Sequence, residues 1–250
     1  MLFITGDMHA DPTMVRIDAM AHKREMLMRS PRTDPLEKSH LLMVGDFGYC
    51  WHGLEALLKT LSDRLREYNT FLYFIDGNHE DFDLLYSYPI DSETQMRPVC
   101  DNIFHLQRGM IYTIDGRTIF TFGGADSVDK AKRTPGYSWW VQEAPTTREW
   151  LLGENCLESY DGKLDYIMTH DAPKRILDTL VSQGVMRSVW DCSGIPRMLD
   201  NFMYIAENKF PGARWFFGHH HIDIDLCKDA EENSLNCRYT GIFRYVTYLQ

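Results

Sequence analysis

Residues 71–80 read Phe-Leu-Tyr-Phe-Ile-Asp-Gly-Asn-His-Glu, an apolar run of strand length that ends on a turn carrying an amide, an imidazole and a carboxylate. The same layout occurs twice upstream, in Leu2-Phe-Ile-Thr-Gly-Asp-Met-His9 and in Leu41-Leu-Met-Val-Gly-Asp46. Short apolar runs bounded by Gly-Asp or Asp-Gly read as buried strands. Between the second and third runs, Leu57, Leu58, Leu61 and Leu65 recur at helical spacing. Strands alternating with helices in this way predict an α/β fold.

Further along, Thr146-Thr-Arg-Glu149 has the spacing of a capping box and predicts a helix carrying Trp150, Leu151 and Leu152. Ile195, Met198, Leu199, Phe202 and Ile205 form another helical stripe, with Pro196 suited to a first turn. From Ile103 to Phe122, apolar runs broken at Arg108-Gly109 and Asp115-Gly116 predict hairpin strands. A second strand-rich group covers Trp215 to Leu226 and Cys237 to Leu249. Met14, Met20, Met26 and Met28 read as core filler of the first helix, Arg16 as a residue of its surface, and Ser30 to Ser39 as a polar loop. Residues 125–145 form an irregular excursion. Nothing repeats and no low-complexity linker interrupts the chain, so one domain over residues 1–250 is expected.

With 44% hydrophobic and 25% charged residues, the 250-residue chain can bury one sizeable core, which excludes wholesale disorder. No stretch approaches the roughly 18 to 20 apolar residues of a membrane helix, and Asp7 interrupts the first apolar run before a signal-peptide core could form. A soluble cytoplasmic protein with no membrane partner is expected. The six cysteines, Cys50, Cys100, Cys156, Cys192, Cys227 and Cys237, form no Cys-x-x-Cys pair and read as reduced thiols. A formal charge of -10 argues against broad nucleic-acid binding. It leaves a phosphorylated substrate open, because metal ions invert the local charge.

Chemistry gathers at five strand ends: Gly6-Asp7-Met8-His9, Gly45-Asp46, Gly77-Asn78-His79-Glu80, Thr169-His170-Asp171 and Gly218-His219-His220-His221. In extended chain the i, i+2 spacing puts Asp7 beside His9 and His219 beside His221, with Met8 and His220 turned away. Four imidazoles, two carboxylates and one amide oxygen suit borderline divalent transition metals, and the absence of a ligand cysteine argues against a structural zinc cluster. Seven donors exceed what one ion needs. Shared through one bridging carboxylate, they would give each of two ions four protein ligands, with room for water and substrate.

The ordered set Asp-x-His, Gly-Asp, Gly-Asn-His-Glu, an isolated His and Gly-His-x-His, spanning Asp7 to His221, resembles the calcineurin-like metallophosphoesterase superfamily. The resemblance implies a four-layer αββα sandwich of two mixed β-sheets flanked by helices, with a dinuclear centre of manganese, iron or zinc at the strand ends. It implies Asp7, His9 and His221 on one ion, Asn78, His170 and His219 on the other, and Asp46 bridging both. His79 would then contact the phosphate and protonate the departing oxygen, while a hydroxide bridging the metals attacks phosphorus.

One motif departs from the superfamily's phosphoprotein phosphatases, whose second motif reads Gly-Asp-x-x-Asp-Arg. Here it is Gly45-Asp-Phe-Gly-Tyr-Cys50, without the Asp that orients the imidazole and without the phosphate-binding Arg. The glycine-rich stretch from Gly123 to Arg133 offers substitutes, Arg133 first among them as a substrate contact, because a guanidinium grips two phosphate oxygens at once. Trp139-Trp140 reads as a hydrophobic lid or core anchor, with stacking on a base or ring as the alternative. His22, His40 and His52 read as surface or packing residues, His52 near enough to Asp46 to rim the site, and His105 as packing in a strand. A metallo-β-lactamase-type pattern fails because Ile224 stands where a histidine is needed. A diester carries less charge than a monoester and has a poor alkoxide leaving group, which favours a site that keeps the acid and lacks the extra Arg. The expected substrate is therefore a phosphorylated small molecule or nucleotide, with a modest preference for phosphodiesters. The alternatives are a phosphomonoesterase, Ser/Thr phosphoprotein phosphatases included, and a non-catalytic scaffold on the same fold.

Overall fold

The computed structural model describes residues 1–29, 37–189, 194–226 and 236–249. Most of the Ser30–Ser39 loop, with Cys192 and Cys227, lies outside the described residues. Among the described residues two six-stranded mixed sheets pack face to face. The first takes β1 (Leu2–Thr5), β2 (Ser39–Met43), β3 (Thr70–Phe74), β4 (Met96–Cys100), β5 (Ile103–Leu106) and the last strand, β12 (Val246–Leu249), in the order β12-β1-β2-β3-β5-β4. The second takes β6 (Met110–Ile114), β7 (Arg117–Phe122), β8 (Tyr166–Thr169), β9 (Arg214–Phe217), β10 (Ile224–Asp225) and β11 (Arg238–Gly241), in the order β10-β11-β9-β8-β7-β6. In each sheet four parallel strands sit inside two antiparallel edge strands.

The apolar runs are continuous because both faces of each sheet are covered. Leu2, Ile4, Leu42, Val44, Ile119, Met168 and Phe216 face the seam between the sheets. The alternate residues Phe3, Leu41, Met43, Leu72 and Phe74 face α1 (Val15–Met28) and α2 (Glu55–Glu67). On the second sheet, Phe120, Ile167, Trp215 and Phe217 pack against α4 (Thr147–Ser159), α5 (Lys174–Ser182) and α6 (Ile195–Lys209). A short α3 (Phe82–Ser87) precedes β4. The result is the four-layer sandwich that the resemblance implies.

Local signals hold where they are self-contained. The capping box at Thr146 and Glu149 forms in full, and Pro196 sits in the first turn of α6. Asp115 and Gly116, both at positive φ, close the β6–β7 hairpin. Arg108-Gly109 does not close a hairpin: it carries the chain from β5 in the first sheet to β6 in the second, and β5 pairs with β3 and β4 instead. Met14 and Met20 are buried, but Met26 is 58% exposed, so the methionine run is only partly core.

The parallel strands share a register that aligns their C-terminal ends. Thr5 pairs Met43, Met43 pairs Phe74, and Thr169 pairs Phe217. The loops that leave these strands therefore emerge along one edge of the sandwich, the usual place for ligand sites in α/β sheets.

Candidate metal centre

Five strand-end loops meet at that edge. Three come from the first sheet, after β1, β2 and β3, and two from the second, after β8 and β9. They approach so closely that glycine is required at their bases. A Cβ on Gly45 would stand 2.1 Å from His170 Nδ1, and one on Gly77 would stand 2.0 Å from Asp46 Oδ1. The loops are also stitched by backbone: Met8 and His9 both donate their N–H to the Asp46 carbonyl, at 3.0 and 2.8 Å.

Two groups of donor atoms result. Asp7, His9, Asp46 and His221 form one, and Asp46, His170 and His219 form the other. In the first, His9 Nε2 lies 3.1 Å from His221 Nε2 and 3.6 Å from Asp46 Oδ2, and His221 Nε2 lies 3.5 Å from Asp7 Oδ2. In the second, His170 Nε2 lies 3.2 Å from both Asp46 Oδ1 and Asn78 Oδ1. Asp46 thus turns one oxygen to each group. The structure brings together all seven residues that the motifs single out.

It does so by a route different from the extended geometry of the sequence reading. His9, Asp46, His219 and His221 all adopt left-handed backbone, with φ between 47° and 61°. Such conformations are sparse for non-glycine residues and cluster at functional sites. The turn at His219–His221 also separates the two imidazoles that i, i+2 spacing would place side by side, sending one to each donor group. His220 points elsewhere and meets Asp171 Oδ1 at 2.8 Å.

The donor set fits cations. Asp7 Oδ1 is buried and finds no hydrogen-bond partner, a costly state for a carboxylate unless a cation faces it. Burial raises the Asp7 carboxyl to about 7, and the charge on Asp46 adds to the rise while His170 opposes it. Burial also pushes on Asp46, but the charge and hydrogen bond of His170 outweigh it and hold Asp46 well below the carboxylate range. Burial lowers His9 to about 4 and His219 to about 3, which keeps both imidazoles neutral and able to ligate. His170 is raised to about 10 against its burial by Asp46 and then Asp7, so that without another cation it carries the charge itself. Its Nδ1 faces the Val44 carbonyl at 2.7 Å, which assigns that nitrogen the proton and aims Nε2 at the site.

Several residues outside the donor set support the centre. Glu80, the carboxylate of Gly-Asn-His-Glu, turns away from the centre and accepts the N–H groups of Phe47 and Gly48 at 2.7 and 3.1 Å. Ser127, from the irregular excursion, has its Oγ 3.1 Å from Asn78 Nδ2 and 2.6 Å from Glu143 Oε2, which fixes the Asn78 amide so that its oxygen faces His170. Arg16 is not a surface residue: its guanidinium donates to the Gly6 carbonyl at 2.9 Å and to the Asp7 carbonyl, holding the first loop. His105 packs in β5 as expected, but as part of a network with Asp76, at 3.0 Å, and with the Arg108 guanidinium on the same carboxylate.

His79 lies beside the two groups, its ring centre 5.0 Å from that of His9, with its backbone N–H on Asp46 Oδ1 at 2.9 Å. The excursion brings Arg133 against it: Nη1 and Nη2 each lie 3.3 Å from a ring nitrogen, while Arg133 Nε is held by Asp129 at 2.7 Å. Burial lowers the pKa of His79, and Arg133 lowers it further against the pull of Asp46.

A family model described as calcineurin-like phosphoesterase matches residues 2–223. No curated protein matches the chain. No helix among the described residues is long and apolar enough to cross a membrane.

Proposed function

This chain belongs to the calcineurin-like phosphoesterase family, and from that premise we propose that it hydrolyses phosphate esters of small molecules or nucleotides with two ions of manganese, iron or zinc. One ion would be held by Asp7, His9 and His221, the other by Asn78, His170 and His219, with Asp46 shared. The observation that carries this reading is the division of Asp46, whose Oδ2 faces His9 and whose Oδ1 faces His170. When bound, the ions would supply the positive charge that acidifies water and stabilises charge on the phosphoryl oxygens.

The chain's own residues supply the rest. His79 stands at the margin of the centre, placed to give a proton to the departing oxygen. Its protonated form is disfavoured by burial and by Arg133, and the negative charge of a bound ester restores it. The second motif carries no Arg, so fewer cations await a dianionic monoester, which favours diesters. Arg133 beside His79 supports a second reading, a phosphomonoesterase, with the guanidinium taking over the missing contact.

The test is a panel of aryl phosphomonoester, aryl phosphodiester and cyclic nucleotides, assayed after chelation and again after adding back manganese, iron or zinc. The reading expects turnover that returns with metal and is highest for a diester. Equal, metal-independent traces of activity on every substrate would refute it.

A further inference from the structure

Two adjoining cavities open beside His79. The inner one, about 300 Å³, is bordered by His9, Gly48, Trp51, His52 and His79. The outer one, about 380 Å³, is bordered by Trp51, His52, Asp81, Asp83, Tyr137 and Trp140. Trp51 and His52 border both, so the two adjoin at these side chains, and we read them as one groove whose inner end reaches His9 and His79.

Its aromatic wall is braced from behind. Trp140 is buried, donates Nε1 to Asp83 Oδ2 at 2.8 Å, and meets Trp51 edge-on with ring centres 5.2 Å apart. Tyr137 stands 76% exposed at the outer end. His52 has Nδ1 on Asp81 Oδ2, which leaves Nε2 for a ligand.

A general acid must touch the oxygen it protonates, and His79 borders the inner cavity, so a group departing at His79 has that cavity to extend into. The walls then state what that group is. Flat aromatic faces favour a planar ring. Two carboxylates border the outer half, and neither cavity is bordered by a lysine or arginine. A leaving group with further phosphates would be repelled, whereas a neutral one with amino and hydroxyl donors finds an acceptor in the exposed Asp83; Asp81 is buried and spends its oxygens on Leu84 N–H and His52.

We propose that the groove is the leaving-group subsite and that it takes a neutral nucleoside, with its base on Trp51 and Tyr137. The proposal rests on the phosphoesterase reading above. In the step it implies, water oxygen bonds to phosphorus and keeps one hydrogen, the bond from phosphorus to the nucleoside oxygen breaks, that oxygen takes a proton from His79, and the proton lost by the water restores His79. The products are a nucleoside and a phosphomonoester.

The experiment compares the manganese-loaded full chain with its Trp51→Ala variant on two diesters, a dinucleoside monophosphate and bis-glycerol phosphate, and titrates both proteins with adenosine while following tryptophan fluorescence. The proposal expects Trp51→Ala to lose at least 10-fold more kcat/KM on the dinucleoside than on the glycerol diester. Adenosine, unlike ribose, should compete with substrate and quench the wild type more than the variant. Tyr137→Ala, at an exposed position, should show a smaller selective loss in the same direction and guards against a folding defect in Trp51→Ala. Equal losses on both diesters, with no adenosine quench, would overturn the groove assignment while leaving the hydrolase reading standing. Failure of the wild type to cleave either diester would overturn that reading, and a saturable, Trp51-dependent quench by adenosine would still mark the groove as a nucleoside site.

Discussion

His170 Nε2 lies 3.2 Å from Asp46 Oδ1, and the two residues stand at the ends of strands in different sheets. Neither sheet alone holds the donor set: Asp7, His9, Asp46 and Asn78 follow strands of the first, while His170, His219 and His221 follow strands of the second. The centre is therefore completed by packing the sandwich, with the seam of Ile4, Leu42, Val44, Met168 and Phe216 setting its width.

Ser127 tests whether the irregular excursion shapes the centre. Its Oγ fixes the Asn78 amide at 3.1 Å, so Ser127→Ala should weaken one ion by about 10- to 100-fold, the usual cost of losing an outer-shell partner. The second ion should keep its affinity. Stepwise metal titration measures it, and an equal loss at both sites would contradict the assignment of Asn78 to one of them.

His79→Gln should leave metal content nearly unchanged and slow turnover by about 10² to 10⁴, the range for a positioned acid or base. The loss should shrink for an aryl ester whose phenolate departs without a proton. Equal slowing for good and poor leaving groups would remove His79 from the acid role.

For Arg133, the guanidinium beside the His79 ring is expected to contact the ester. Arg133→Ala should raise KM, lower kcat, or both, without unloading metal. Arg16 cannot serve as the control, since it holds the Asp7 loop; Lys59, with its side chain 76% exposed on α2, can. Kinetics of Arg133→Ala matching those of Lys59→Ala would return the excursion to a purely structural role.

Asp76 carries a stability prediction. It is fully buried, and although burial raises its pKa, Arg108 and then His105 hold it well below the carboxylate range. Since its folded value is depressed, its contribution is present above the unfolded value of about 4 and is lost as pH falls towards the folded one. Asp76→Asn should cost about 3 to 5 kcal/mol at pH 7 by stranding the buried Arg108. Urea unfolding should show the gap to wild type narrowing by about 1.4 kcal/mol for each pH unit below about 4. A gap independent of pH would mean that Asp76 is not charged in the folded protein.

What could be read from the chain followed the range of the interaction. The strands ending at Thr5, Met43 and Phe74, the capping box at Thr146 and the hairpin at Asp115-Gly116 are set by neighbours in sequence, and all appear as expected. The switch of sheet at Arg108-Gly109 is invisible locally, because a Gly turn looks the same whether the next strand returns to its own sheet or crosses to another. The seven residues that gather at the strand ends were legible only as a set, because Asp, Asn and His recur in order after successive apolar runs, where any one of them alone reads as a turn. Their supports were not: Ser127 and Arg16 act through partners 49 and 9 to 10 residues away and nothing in their own surroundings marks them, while Glu80, visible as the carboxylate of its motif, turns to Phe47 and Gly48 32 to 33 residues away instead of to the centre. The left-handed backbone at His9, His219 and His221 likewise has no mark in the i, i+2 spacing, which reads as extended chain.

Asp46 is expected to join two metal sites, and a count of bound ions decides whether it does. Elemental analysis of the chelated and reconstituted protein, with metal titration of wild type and Asp46→Asn side by side, gives the count. Two ions are expected per wild-type chain, and Asp46→Asn should lose affinity at both sites along with most of its turnover. Saturation of the wild type at one ion, or an Asp46→Asn protein with two ions and full turnover, would contradict this expectation.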